Sequence, residues 1–324
     1  MAVVAVDTLP PCLAQRAVAQ PASARVSCPR SQNRRPSVDT PISAEAVHLM
    51  ALHAGEGVGV PQDWANALDL VQRSAELGWP LARATLMGLA GDWPAAHQLA
   101  ANTNAASDRD WGSVRRSIDL GAWFAVPESR IVSASPRVAV VDGFASTEIC
   151  DWIIARARTR LGPARVFDLL SGAPTHEAVR DNSECHFATD DGDLILQFLR
   201  NRIAAVTELF VSGMEAPAVL HYTPGQRFLP HYDFLDDTHP GHAKDIAEGG
   251  QRVLTFLLSL SDDYEGGETQ FPILGRRYRG RKGNAIFFWN VEPDGTPDQR
   301  LLHAGLPPTS GEKWMFSQWI RGRF

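Results

Sequence analysis

Residues 227–237, "RFLPHYDFLDD", set a histidine and an aspartate two apart, His231 and Asp233, inside an apolar and aromatic run. In an extended strand alternate side chains leave the same face, so these two point together while Tyr232 and Phe234 point the other way. One strand thereby offers two of the three ligands a metal needs. A bare His-x-Asp pair is common without any metal, so its meaning depends on what surrounds it.

Outward from this stretch, compact apolar runs alternate with turns: "PAVLHYT", "QRVLTFLLSLS", "GETQFP", "NAIFFWN", "LLHAGLP" and "KWMFSQWIR". Each has strand length, with Gly, Pro, Asn or Asp at its borders. Upstream, "RVAVVDGF" reads as a strand. Ser146 or Thr147 then caps a helix through about Arg160, with Ile149, Trp152 and Ile153 on one face. A second helix is expected in "DLILQFLRNRIAAVTELF". Helices followed by many short strands predict an α+β fold, an antiparallel barrel or jelly roll with helices packed outside.

The chain has 324 residues, 44% of them hydrophobic and 21% charged, enough for a sizeable core and two domains. Its net charge of −6 provides no basic field for nucleic acid or an anionic membrane, so neither is expected as a partner. Four cysteines without CxxC spacing argue against a disulfide framework and against a zinc ribbon. No apolar run approaches the roughly 18 residues of a membrane span, and the N-terminus lacks a signal pattern. A soluble, cytoplasmic protein is expected.

Residues 1–40 are rich in Pro, Ala, Ser, Gln and Arg and read as a disordered tail. Residues 41–110 turn helical, with small and apolar residues at three- and four-residue spacing. Leu49 and Leu52 recur as Leu86 and Leu89. This segment resembles the Sel-one-like class of tetratricopeptide repeats, which implies stacked helix hairpins, serving either as a protein-partner surface or as a packing shoulder. Residues 115–324 form the expected catalytic domain.

The third ligand is sought downstream of Asp233. His239 and His242 lie in "DDTHPGHAKDIAEGG", a polar, glycine-containing stretch that reads as a mobile loop able to close over a substrate. His303 is the better choice, at a strand end in "RLLHAGLPP", about 70 residues after the first pair. Two histidines and one carboxylate leave one face of Fe(II) open to O2 and a bidentate co-substrate. Lys313, ten residues beyond His303, sits on a mostly apolar strand, where a cation is ordinarily solvent-facing but could answer a carboxylate reaching inward.

From about 135 to 322 the sequence resembles the prolyl 4-hydroxylase branch of the Fe(II)- and 2-oxoglutarate-dependent oxygenases. The resemblance rests on the ordered motifs "LHYTPGQRFLPHYDF", "GGQRVLTFLLSLSDDYEGGETQFP", "GNAIFFWN" and "LLHAGLPPTSGEKWMFSQWI". It implies a double-stranded β-helix (jelly roll) with His231, Asp233 and His303 on iron, and with 2-oxoglutarate, O2 and ascorbate as reductant. It implies also that Lys313 pairs with the distal carboxylate of 2-oxoglutarate, assisted by Tyr222 and Thr269. The bland readings of those two are a core aromatic and a strand residue, and the functional one is preferred because each occupies its motif position. Arg252 and Trp319 match positions near the substrate in this family, against the bland readings of an exposed strand flank and a core side chain.

Phe228 stands where the peptidyl-prolyl members favour tyrosine, and Arg321 where they have a histidine. "VRDNSECHF" matches the family's substrate loop only at Arg180 and Ser183. The carboxylate at Asp233 points to hydroxylation, because related halogenases have a small residue there. Hydroxylation of a prolyl residue in a peptide or protein is therefore expected, with a free amino acid or small natural-product substrate as the alternative. In that alternative Arg321 meets the substrate carboxylate. A repeat-containing binding protein with an inactive oxygenase domain, and a nucleic-acid demethylase, are the remaining readings.

Overall fold

The computed structural model describes residues 42–101, 109–164 and 180–322, together with the backbone of two short strands at 166–167 and 174–175. The expected tail, residues 1–40, lies outside the described residues. Nine α-helices occur among those described: α1 (Ala44–Glu56), α2 (Trp64–Glu76), α3 (Pro80–Leu89), α4 (Trp93–Ala101), α5 (Trp111–Arg116), α6 (Leu120–Phe124), α7 (Thr147–Arg158), α8 (Leu194–Thr207) and α9 (Pro240–Gly249). None is long and apolar enough to cross a membrane.

Helix starts follow from side chains that accept the otherwise unpaired first N–H groups. Ser43 caps α1, Asp63 α2, Ser146 α7 and Asp193 α8. Asp110 and Asp119 do the same for α5 and α6, two short helices not expected from the sequence. The stretch around 240–249, read above as a mobile loop, is helix α9 with Pro240 at its first turn. None of its residues is buried, so it lacks the apolar periodicity by which a helix is recognised.

The strands are β1 (Arg130–Ala134), β2 (Arg137–Val141), β3 (Gly162–Pro163), β4 (Val166–Phe167), β5 (Pro174–Thr175), β6 (Ser183–His186), β7 (Ala218–Tyr222), β8 (Phe228–His231), β9 (Gln251–Ser259), β10 (Glu265–Gly266), β11 (Thr269–Phe271), β12 (Arg276–Tyr278), β13 (Ala285–Trp289), β14 (His303–Gly305), β15 (Pro308–Ser310) and β16 (Lys313–Gly322). An eight-stranded sheet runs β1-β2-β13-β9-β16-β7-β6-β3, and a four-stranded sheet runs β12-β11-β14-β8. The pairings across the core of both sheets are antiparallel, as a jelly roll requires.

Alternation along the central strands divides two cores. Phe256 and Leu258 of β9, Phe287 of β13 and Phe316 of β16 belong to a large cluster shared with α7 and α8. Leu257, Ile286, Phe288 and Met315 turn the other way and meet Phe271 in a smaller cluster between the sheets. Only every second residue of "FLLSLS" and "AIFFW" therefore lines the barrel, as a period of two dictates.

The large core extends without a break into the N-terminal helices. Phe198 of α8 packs against Trp64, Trp123 and Phe124, with ring centroids 4.8, 5.6 and 5.0 Å away. The Gln197 amide donates to the Leu52 carbonyl at 2.9 Å, and Arg200 pairs with Glu56. Gly55 permits this approach, since a Cβ there would stand 2.2 Å from the Gln197 side-chain oxygen.

Candidate active site

Antiparallel register assembles the site. His303 of β14 lies directly opposite His231 of β8, and Lys313 of β16 directly opposite Tyr222 of β7. Thr269 of β11 faces Gly305 of β14. A register shift within β8–β14 puts the four residues 228–231 of β8 against the three residues 303–305 of β14, so Phe228 and His231 face the same pocket although they are three apart. Their rings stack with centroids 3.5 Å apart.

His231, Asp233 and His303 each offer one ligand atom, all within 4.8 Å of one another. Each imidazole is oriented by its other nitrogen: Nδ1 of His231 lies 2.8 Å from the Leu229 carbonyl, and Nδ1 of His303 lies 3.0 Å from the Leu301 carbonyl. A carbonyl only accepts, so each Nδ1 carries the proton and each Nε2 presents a lone pair. Those Nε2 atoms stand 3.7 and 3.3 Å from the Asp233 oxygens. The Thr255 hydroxyl donates to Asp233 Oδ2 at 2.7 Å and accepts from the Asn290 amide at 2.9 Å. Sequence reasoning did not single out Thr255 or Asn290. The available signal was a hydroxyl at an inward position of the otherwise apolar strand β9.

Burial opposes ionisation of Asp233, yet the two imidazoles and the Thr255 hydroxyl outweigh it and hold the carboxyl well below the usual carboxylate range. Burial and the neighbouring His303 push His231 down to about 3, which keeps it neutral and able to ligate. His303 is raised, because the adjacent Asp233 more than offsets its burial. One hard oxygen and two imidazole nitrogens, converging in a buried cleft, fit a non-haem ferrous ion.

Across the pocket Lys313 is only 3% exposed, and among the described residues its ammonium makes no ion pair or hydrogen bond. Its nitrogen lies 5.0 Å from the Tyr222 ring centroid. Burial lowers it to about 8, against a weaker opposing pull from Glu268. Burial pushes the Tyr222 hydroxyl up to about 12. Gly267 makes room beside them: it holds φ +69°, and a Cβ would stand 2.8 Å from the Tyr264 ring and 3.4 Å from Cδ of Lys313. A buried cation with no carboxylate in direct contact among the described residues is a site for an incoming anion.

Trp319 lines the same pocket, and among the described residues its buried indole N–H has no partner. Arg180, which also lines it, pairs with Glu184 at 2.7 Å and lies 4.7 Å over the Phe228 ring. Arg252 and Arg321 are not among the lining residues. Arg252 grips Glu215 with two hydrogen bonds of 2.7 and 3.0 Å, and its guanidinium carbon lies 3.9 Å over the Trp319 ring. The structure does not bring Arg321 to the pocket as a free cation. A register shift opposite Ile320 and Arg321 leaves Val253 of β9 as an extra residue there, and the Arg321 side chain goes to Glu215 at 2.6 Å and to Asp245 of α9 at 2.9 Å.

Two histidines and an aspartate with an open side, set between the sheets of a jelly roll, define the class as a non-haem ferrous oxygenase. A family model described as the 2OG-Fe(II) oxygenase superfamily matches residues 217–321. Prolyl 4-hydroxylase 1 of Arabidopsis thaliana is 36% identical over 205 residues, covering 59% of this chain and 71% of that protein. Probable prolyl 4-hydroxylase 7 of the same plant is 32% identical over 238 residues, covering 67% and 73%. Among solved structures, the viral collagen prolyl hydroxylase vCPH from Paramecium Bursaria Chlorella virus-1, in its 2OG complex, is 30% identical and covers 57% of this chain and 96% of that one, with a TM-score of 0.44. The chain belongs to the 2OG-Fe(II) oxygenase superfamily, in its prolyl 4-hydroxylase-like branch. It is a 2-oxoglutarate-dependent dioxygenase that uses Fe(II), 2-oxoglutarate and O2.

Proposed function

We propose that the protein hydroxylates a prolyl residue in a peptide or protein, with His231, Asp233 and His303 holding Fe(II) and with Lys313 receiving the distal carboxylate of 2-oxoglutarate. The observation that carries this reading is the pairing of the converging ligand set with the unpartnered, buried Lys313 across the same pocket. Bound there, iron and 2-oxoglutarate would together supply the oxygen-activating chemistry. The chain supplies orientation and shelter. Tyr222 stands directly across from Lys313, Thr269 lines the same pocket, and both would help receive the carboxylate end of the co-substrate. The Asn290–Thr255–Asp233 chain fixes one oxygen of the ligand carboxylate. Leu257 and Met315 keep water away from the reacting centre. The unpaired indole N–H of Trp319 is suited to a substrate amide carbonyl, which an internal prolyl residue provides.

A free amino acid as substrate would need a cation for its carboxylate. Arg321 is already held by Glu215 and Asp245, so this reading loses the residue on which it rested. For the helical segment we favour a packing shoulder over a partner-binding groove, supported by the core that α1, α2 and α6 share with α8. Deleting residues 1–110 would then remove solubility and activity together, whereas a docking module would leave short-substrate turnover intact. The two buried free thiols, Cys150 and Cys185, suit a reducing compartment such as the cytoplasm.

The deciding experiment supplies Fe(II), 2-oxoglutarate and O2 with proline-rich peptides and, in parallel, free amino acids. Succinate release and a one-oxygen mass gain on a prolyl residue are expected with the peptides. Turnover of free amino acids alone would overturn the proposal.

A further inference from the structure

A second cavity, of about 370 Å³, opens between the sheets, lined by β1, β2 and β13 on one side and by β11 and β12 on the other. Its floor is apolar: Val138 and Val140 of β2, Ile286 of β13 and Phe271 of β11, all buried. Its rim carries five arginines, Arg130, Arg276, Arg277, Arg279 and Arg281, against one carboxylate, Asp142. That carboxylate already accepts a hydrogen bond from Asn284 at 2.7 Å. Arg279 is engaged by the backbone carbonyls of Asp262 and Tyr264. Among the described residues, the side chains of Arg276, Arg277 and Arg281 are exposed and have neither an ion pair nor a hydrogen bond. So dense a positive rim on a chain of net charge −6 is a local feature, not an echo of overall composition.

We propose that this cavity is a binding site for a small amphipathic anion, one with an aliphatic or aromatic body and a carboxylate or phosphate head. Its volume lies in the range of ligand pockets, roughly 300–1,000 Å³. The body would cover Val138, Val140, Ile286 and Phe271, and the head would meet the unpaired guanidinium groups, which are built for planar and tetrahedral oxyanions. An inorganic anion would leave the floor without contacts, and a neutral lipid would leave the rim uncompensated. An acidic peptide would bring backbone amides onto a floor that has no partner for them. The chain's own first 41 residues carry five arginines and two aspartates, the wrong sign for self-occupancy. The site is distinct from the metal pocket but adjoins it, because the Phe271 ring lies 5.9 Å from that of His303.

The test is calorimetry on the full chain loaded with Fe(II) and 2-oxoglutarate under argon, so that the metal pocket is already filled. The probes are decanoate, octanoate, decan-1-ol, inorganic phosphate and hexaglutamate. One decanoate is expected to bind per chain, with octanoate about tenfold weaker for its two missing methylenes. Decan-1-ol and phosphate are each expected at least tenfold weaker than decanoate. Replacing the three unpaired arginines together (Arg276→Gln, Arg277→Gln, Arg281→Gln) should weaken decanoate at least tenfold and leave decan-1-ol unchanged, while Val132→Trp, which narrows the cavity, should weaken both. Absence of decanoate binding at millimolar concentration overturns the site. Equal binding of decanoate and decan-1-ol removes the rim from it, and phosphate or hexaglutamate matching decanoate reduces it to a charged surface. The chain-length series needs no variant, so a misfolded triple mutant would not shield the proposal.

Discussion

Around the metal pocket, charged side chains are buried and tied one by one: Asp233 to Thr255, Arg180 to Glu184, Arg252 to Glu215. In the cavity on the other side of Phe271 the arrangement is reversed, with Arg276, Arg277 and Arg281 exposed and unattached at the rim of an apolar floor. Lys313 belongs in location to the first group and in chemistry to the second, since it is buried yet unpaired. The contrast separates two uses of charge. A charge held by hydrogen bonds fixes the geometry of something else, whereas a charge left without a partner marks where an anion is to arrive. The degree of satisfaction of each ionic group, more than its position, distinguishes scaffold from receptor.

The sharpest way to break this contrast is to remove a fixed group. His231→Ala, Asp233→Ala and His303→Ala should each abolish iron retention, measured as metal per chain after gel filtration, and with it turnover. Near-normal iron in His303→Ala with loss in His242→Ala would show that the ligand set is drawn wrongly.

Removing the buried receptor charge comes next. Lys313→Ala should weaken 2-oxoglutarate binding by about 2–5 kcal/mol, roughly 30- to 5,000-fold, with iron retained. An unchanged 2-oxoglutarate dependence would take Lys313 out of the site. The same residue predicts a pH profile. Burial lowers it to about 8 in the ligand-free protein, so 2-oxoglutarate affinity should decline as pH rises through that value and the cation is lost. Stability moves the opposite way. With an ordinary lysine value of 10.5 in the unfolded chain, the unfolded state holds more protons between about 8 and 10.5, and Lys313 makes the ligand-free fold more stable as pH rises across that window. Chemical denaturation at pH 7.5 and 9.5, with Lys313→Met as reference, measures the slope.

A smaller effect is expected for a group that acts through a ligand. Thr255→Val keeps the volume near Asp233 but deletes its hydrogen bond, and should lower iron affinity by about 10- to 100-fold, with partial recovery in Thr255→Ser. The smallest belongs to the rim, where Arg276→Gln should change unfolding free energy by no more than about 0.5 kcal/mol. A larger loss would mean that Arg276 is scaffold and the contrast fails there.

Much of the metal pocket was legible in the sequence from the ordered motifs that carry its residues, and Lys313 interrupts an apolar strand whose even and odd positions are both buried. The single strand expected to carry both His231 and Asp233 instead ends at His231, and Asp233 follows in a bend, from which it still reaches both imidazoles. What stayed hidden depends on contacts between distant segments or on elements without a pattern. Glu215 follows a short turn and carries no motif, yet it organises Arg252 and Arg321 together. Arg321 is taken up by Glu215 and by Asp245 of α9, residues distant in the chain that no motif announces. Helix α9 buries nothing and so resembles a loop. Helices α5 and α6 are too short for periodicity, although the aspartates that cap them were in plain view. The run "RRYRGRK" carries no reading of its own in the sequence, and its arginines gain meaning only from the apolar floor beneath them.

His231 and His303 meet only as partners across β8 and β14, whose strands are far apart in the chain. A pairing slipped by one residue would turn one imidazole to the other face of the sheet. Competence to take up iron through this set therefore requires that the long-range pairing be correct, and a molecule in which β8 and β14 are misthreaded lacks the ligand set. The barrel inspects itself before it is armed, and a chain that fails inspection stays chemically inert toward oxygen.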